Sequence, residues 1–157
     1  MISLAILESG NENIALKIAS YIAGREGYSP GVKIETVSAP AEISRVKPDL
    51  VVISPMTPLS DPPASVKIRC GTLLLPDGAP SGGFEPDRVV SYGMSPRDTV
   101  TLSSIGEGSC MLSLQRELPT LGGEILDQQE FIVRRDGGSA ETLATSGALL
   151  ILGLKPE

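Results

Sequence analysis

Residues 2–24 read ISLAILESGNENIALKIASYIAG, and the fold turns on how they are read. Ile2 to Leu7 is a near-continuous apolar run, the pattern of a parallel strand buried on both faces. A small turn follows, and then Ile14, Ala15, Ile18, Ala19 and Ile22 recur at helical spacing. Ser9 and Glu12 have the S-x-x-E spacing of a capping box, and Gly24 and Gly27 supply a helix stop. Strand, turn and helix in this order is the layout of a phosphate-binding loop, which carries Lys and then Ser or Thr where the helix opens. Here Asn11 and Glu12 stand in that place. A working nucleotide site, a dead one and a plain βα turn are all open at this point.

The βα texture continues. Val32 to Val37 (VKIETV) predicts a second strand, residues 41–46 a short helix stopped by Pro48, and Leu50 to Ile53 (LVVI) a third strand. Such alternation implies a parallel sheet with helices on its faces. Pro55, Pro58, Pro62 and Pro63 mark a stiff loop. Residues 70–75 (CGTLLL) predict a strand, and 76–87 (PDGAPSGGFEPD) an irregular stretch. Beyond it, RVVSYG, TVTLSSI, CMLSLQ and EFIVRR alternate partially with period two and are joined by GEG and TLGGE, as strands linked by hairpins are. Residues 140–152 predict a closing helix with Gly153 at its C-terminal cap. The expected fold is α/β in a single domain over residues 1–157. It is three-layered, with a mostly parallel sheet of Rossmann or P-loop-like type and a β-rich C-terminal extension.

Composition narrows the chemistry. A chain of 157 residues is long enough to bury a core, and 41% hydrophobic with 20% charged residues is the balance of an ordinary globular domain. That core must be aliphatic, since the chain has two Phe, three Tyr and no Trp. The net charge of −6, with no basic run longer than Arg134-Arg135, argues against nucleic acid as a partner. No apolar run approaches ~18 residues, so no membrane partner is expected. MISLAILESG lacks a positive n-region, so no signal peptide and a cytoplasmic location are expected. Cys70 and Cys110 form no CxxC and predict two buried, reduced thiols. There is no histidine, which removes His-based metal spacing and any Ser-His-Asp or Cys-His mechanism.

Two strings carry a family resemblance. RVVSYGMSPRDTVTLSSI (88–105) holds a V-x-Y-G-x-S turn followed by an alternating strand, and SAETLATSGALLILGL (139–154) is a helix ending Leu-Gly-Leu. Together with the order of elements, they make the chain resemble the central ATPase domain of the Mur ligases, the UDP-N-acetylmuramyl peptide and tripeptide synthases. The opening unit matches that family's phosphate-binding unit in register, down to GREGY (24–28), and CGTLLLPDG stands where the family has a strand leading to an Asn-x-Asp-Asp-type turn. The family's UDP-binding and amino-acid-binding domains have no counterpart here, so the resemblance implies a stand-alone relative.

The resemblance also implies lost catalysis. A working loop ends Gly-Lys-Thr, whereas the aligned run is Gly10-Asn11-Glu12. Asn11 supplies no cation, and Glu12 would bring a carboxylate to the phosphate position. Two unit charges ~4 Å apart at an effective dielectric near 20 repel by about 4 kcal/mol. The capping box gives Glu12 a structural role instead. Ser54 aligns with the family's metal-binding Glu and is a poor Mg²⁺ ligand, and the family's loop histidine has no equivalent. Phosphoryl transfer rests on positioning and charge stabilisation, so the joint loss of Lys, Thr, Glu and His should abolish it.

Other candidates have plainer explanations. In RRDGGSAETL, Arg134, Arg135 and Ser139 would place an anion at a helix N-terminus, but a glycine turn with an N-cap serine explains the same residues. A receiver-type phospho-acceptor would need paired acids after the first strand, and Glu8 is alone. Asp61, Asp77, Glu85 and Asp87 would form a cation site or, more simply, turns beside Pro and Gly. GALLILGL is core or a dimer surface. The expected function is a non-catalytic Mur-ligase-like pseudoenzyme with a degenerate P-loop, in a binding or regulatory role linked to cell-envelope metabolism. The alternative is a small-ligand binder, for a nucleotide or UDP-sugar, that retains the strand-end crevice. Ser9, Gly10, Asn11, Glu12 and Ser54 are the candidate ligand-binding residues, with no catalytic residue, metal or cofactor expected. The expected partner is another protein or a second copy of the chain.

Overall fold

A computed structural model of the chain describes residues 1–9, 12–25, 27–28, 31–43, 47–56, 67–135 and 137–156. The opening stretch forms β1 (Ile2–Leu7) and α1 (Ile14–Ala23), followed by β2 (Val32–Val37) and β3 (Leu50–Ile53). Then come β4 (Ile68–Pro76), β5 (Phe84–Tyr92), β6 (Val100–Ile105) and β7 (Ser109–Leu114). The short pair β8 (Leu118–Pro119) and β9 (Ile125–Leu126) precedes β10 (Gln129–Arg134) and α2 (Ser139–Ile151).

One eight-stranded sheet has the order β10-β7-β6-β5-β4-β3-β1-β2. Neighbours from β2 through β6 are parallel, while β6–β7 and β7–β10 are antiparallel. This is an α/β fold on a mostly parallel sheet with a β-rich C-terminal part. The chain steps outward from β1 to β2 and returns past β1 to β3, so the strand order reverses between β1 and β3.

Strand alternation separates two apolar clusters. Leu4, Ile6, Leu50, Val52 and Leu74 face Ile14 and Ile18 of α1 and Leu143, Ala144 and Leu150 of α2. Ala5, Leu7, Val51, Ile53, Leu73, Leu75 and Phe84 form the second cluster on the other side, where Ile43 and Ile68 pack. Among the described residues both α-helices therefore lie on one face, and a third, helical layer is not part of the described structure. The helix expected over 41–46 is instead a 3₁₀ turn at Pro40–Glu42, and residues 44–46 lie outside the described ones. Glu42 folds back to accept from the Ser38 N–H (3.0 Å) and hydroxyl, which favours a tight turn over a longer helix.

The stretch 84–87, read as irregular from its Pro and Gly content, is the first half of β5, paired in parallel with Ile68–Cys70 of β4. The crossover between these two strands uses only residues 77–83 and no helix, well short of the dozen or more usual for parallel neighbours. α2 ends in a Schellman motif: Leu154 N–H donates to Leu149 C=O (2.8 Å) and Gly153 N–H to Leu150 C=O (2.9 Å). Gly153 takes φ +86°, and Leu154 is buried, as the C-terminal reading of Leu-Gly-Leu requires. Cys70 and Cys110 are both buried and unpaired, as their spacing predicted.

Candidate functional site

In open parallel sheets ligands bind outside the carboxyl ends of the strands, where the strand order reverses. Here that point lies between β1 and β3, and it is bounded by the residues after Leu7 and after Ile53. Backbone bonds hold it together, with Glu8 N–H donating to Val37 C=O (3.1 Å) and Ser54 N–H to Leu7 C=O (2.9 Å).

The first turn of α1 is capped from outside its own sequence. Ile14 N–H donates to Glu8 Oε2 (2.8 Å) and Ala15 N–H to Glu8 Oε1 (3.4 Å). The N-cap position is Asn13, in left-handed backbone (φ 58°), and its side chain makes no capping bond. The Ser9–Glu12 capping box is therefore not formed. The helix begins at Ile14, two residues beyond Glu12, so neither member of the pair reaches a capping position. The strand end projects Glu8 at the free N–H groups, and an anion there is favoured by the helix dipole. Glu8→Ala is expected to cost about 1 kcal/mol, a fall in Tm of roughly 2–4 °C, with Glu8→Gln costing less because one acceptor oxygen remains. Thermal unfolding of the three proteins checks this, and an unchanged Tm for Glu8→Ala would contradict the capping role.

Released from capping, Glu12 turns inward. It is 5% exposed, and Ser54, fully buried at the end of β3, donates its hydroxyl to Glu12 Oε2 at 2.5 Å. Ser54 Oγ in turn accepts from Met56 N–H (3.1 Å). Next to this pair the Tyr92 hydroxyl donates to Ile53 C=O (2.5 Å). Burial holds the Tyr92 phenol well above its usual range, and the nearby Glu12 charge adds to the effect. Ser54 and Glu12 are thus brought together, while Ser9 stays exposed at the surface. Gly10 and Asn11 lie outside the described residues.

Further along the same strand ends, Asp98 is completely buried. Its Oδ2 accepts from Ser95 N–H (3.0 Å), and its Oδ1 has no partner among the described residues. A Cβ on Gly93 would sit 2.6 Å from Asp98 Oδ2 and 2.8 Å from the Asp77 Cβ, so the SYGMSP turn closes only with glycine there. Of the acids read as a possible cation site, Glu85 and Asp87 lie in β5 and pair with Lys67 (3.6 Å) and Lys47 (2.8 Å). Asp61 is outside the described residues. Among the described residues no three acidic or thiol groups converge on a metal position.

The second helix N-terminus has a carboxylate, Glu141, in its first turn. α2 starts at Ser139 with Gly138 at its N-cap, so Ser139 is inside the helix rather than capping it. A Cβ on Gly137 would lie 2.6 Å from Glu141 Oε2, which pairs with Lys17 at 3.6 Å. An anion arriving at this helix N-terminus would meet that carboxylate. A separate groove of about 520 Å³ lies between α1, α2 and the end of β10, lined by Leu16, Lys17, Tyr21, Arg134 and Thr145 among others. No helix among the described residues is long and apolar enough to cross a membrane.

Glu8, Tyr92 and Asp98 were not among the residues singled out as a site. Tyr92 and Asp98 carried a signal only through their place in the 88–105 string, and Glu8 only as a lone acid after the first strand. Compared with known proteins, the chain matches no family model, no curated protein and no solved structure.

Proposed function

We propose that this chain is a non-catalytic binding or regulatory module, a degenerate relative of the Mur ligase central domain that acts through contact with another protein. The observation that carries the reading is the Glu8 carboxylate on the N–H groups of Ile14 and Ala15. A phosphate-binding turn works because those donors are free and the dipole behind them favours an incoming anion. Here the anion is internal. Glu12, hydrogen-bonded to Ser54, adds a second carboxylate at the same strand ends, and this one is buried. A nucleotide would have to displace one and approach the other against charge repulsion. The Mur-ligase relationship rests on the SYGMSP and LATSGALLILGL strings and the order of elements, and a role in cell-envelope metabolism follows from that relationship. The alternative, a small-ligand binder using the strand-end crevice, loses support because the Ile14 and Ala15 N–H groups at that crevice are already engaged.

The test is calorimetric titration of the pure protein with Mg-ATP, followed by a UDP-muramyl peptide. No heat is expected from either. Micromolar binding of ATP, or measurable hydrolysis, would overturn the reading and bring the ligand-binding alternative forward.

A further inference from the structure

From the free edge of β10 we infer that the chain self-associates as a two-fold dimer, pairing β10 antiparallel with β10 of a second copy. β10 ends the sheet, and no strand among the described residues pairs with its outer side. An open groove of about 850 Å³ is lined by Glu130 to Arg134 together with Met111 of the inner neighbour β7 and with Lys155.

The hydrogen-bonding phase of this edge is fixed by the inner ladder. Arg135 N–H donates to Gly108 C=O (3.1 Å), directly across from it in the β10–β7 register that pairs Arg134 with Ser109. Antiparallel ladders alternate, so Phe131 and Val133 also turn their backbone groups to β7. The N–H and C=O groups of Glu130, Ile132 and Arg134 then point outward.

A two-fold axis beside Ile132 sets Ile132 against its own copy, Glu130 against Arg134 of the second chain, and Arg134 against its Glu130. On one face Ile132, 68% exposed in the single chain, meets an identical side chain between two opposite-charge pairs. On the other face Phe131 meets Val133, and both already pack in the helix-side core. Charges on a free edge ordinarily keep copies apart. These are of opposite sign and symmetric about Ile132, so they attract. An axis moved by one residue toward Phe131 sets Glu130 against Ile132, and one moved toward Val133 sets Ile132 against Arg134, so both lose the match. The opposite edge, β2, has Lys33 and Glu35 about Ile34, but Ile34 is already packed against the core. The resulting interface is isologous and joins the two sheets into one.

Sedimentation equilibrium of the full chain is expected to show twice the 16.4 kDa chain mass. Glu130→Arg and Arg134→Glu each create two like-charge pairs and are expected to weaken the dimer at least about tenfold. The double variant Glu130→Arg/Arg134→Glu restores both attractive pairs and is expected to recover it. Both residues changed are solvent-facing, so the fold should be kept, which far-UV circular dichroism verifies. A monomeric wild-type protein up to the highest soluble concentration overturns the inference. So does a dimer indifferent to both single reversals, or a double variant no tighter than the singles.

Discussion

Gly71→Ala should cost about 3 kcal/mol, at the upper end of what overpacking usually costs, and lower Tm by roughly 6–12 °C. A Cβ at position 71 would stand 2.5 Å from the Asp49 carbonyl oxygen. The obstacle is backbone and cannot rotate away. Asp49 is itself held, because its C=O accepts from Thr72 N–H (2.9 Å) and its N–H donates to Ser3 C=O (2.9 Å). Its carboxylate further accepts from Ser3 N–H (2.8 Å). Making room for one methyl group therefore pulls β3 away from both β1 and β4 at the middle of the sheet. Gly108→Ala, where an added Cβ meets nothing within 4 Å, is the control and is expected to stay within about 0.5 kcal/mol of wild type. Urea unfolding of the three proteins measures the difference, and equal stability of Gly71→Ala and wild type would refute the close approach of β4 to the start of β3.

Stability should fall steadily above about pH 9. Burial pushes the Cys70 thiol from 9.0 up to about 11, with the Asp87 charge raising it further and Lys47 opposing. Tyr92 is raised by burial and by Glu12, and Cys110 and Tyr28 are raised by burial. All four groups are neutral when protonated and have folded values above their unfolded ones. The unfolded chain gives up these protons first, so their stabilising contribution is whole below the unfolded values and is lost as pH rises through the folded ones. For Cys70 alone the loss is about 2–3 kcal/mol once pH passes 11. Urea unfolding at pH 8, 9, 10 and 10.5 should show a downward curve. Cys70→Ala, less stable at neutral pH because a buried side chain is shortened, should show a shallower one. A flat profile from pH 8 to 10.5 would remove the burial argument for these groups.

Both predictions turn on residues whose importance is invisible in a linear reading. Cys70 and Gly71 looked like the start of an ordinary strand, and only the neighbouring Asp49 carbonyl makes a side chain at 71 intolerable. Glu12 illustrates the same limit at the candidate site. Its S-x-x-E spacing to Ser9 is a sound local signal, yet the helix starts two residues later and a carboxylate from the strand end takes the capping place. Glu8 reaches those N–H groups from six and seven positions back along the chain, a separation outside the N-cap spacing rules.

By itself the sequence determined the opening strand–helix–strand order, the parallel core strands and the closing helix with its Gly153 turn. It also determined the absence of histidine and of any Gly-Lys-Thr loop. These follow from apolar periodicity, backbone preferences of glycine and proline, and side-chain chemistry, all of which act over a few residues. The tertiary structure alone decided which carboxylate caps α1, and that Ser54 closes on Glu12 across 42 positions of chain. It also decided that residues 84–87 belong to a strand and that β10 is left as a free edge. The physical reason is common to all of these. Hydrogen-bond satisfaction, burial and edge exposure are settled between segments distant in sequence, where a residue's partner and not its neighbours fixes what it does.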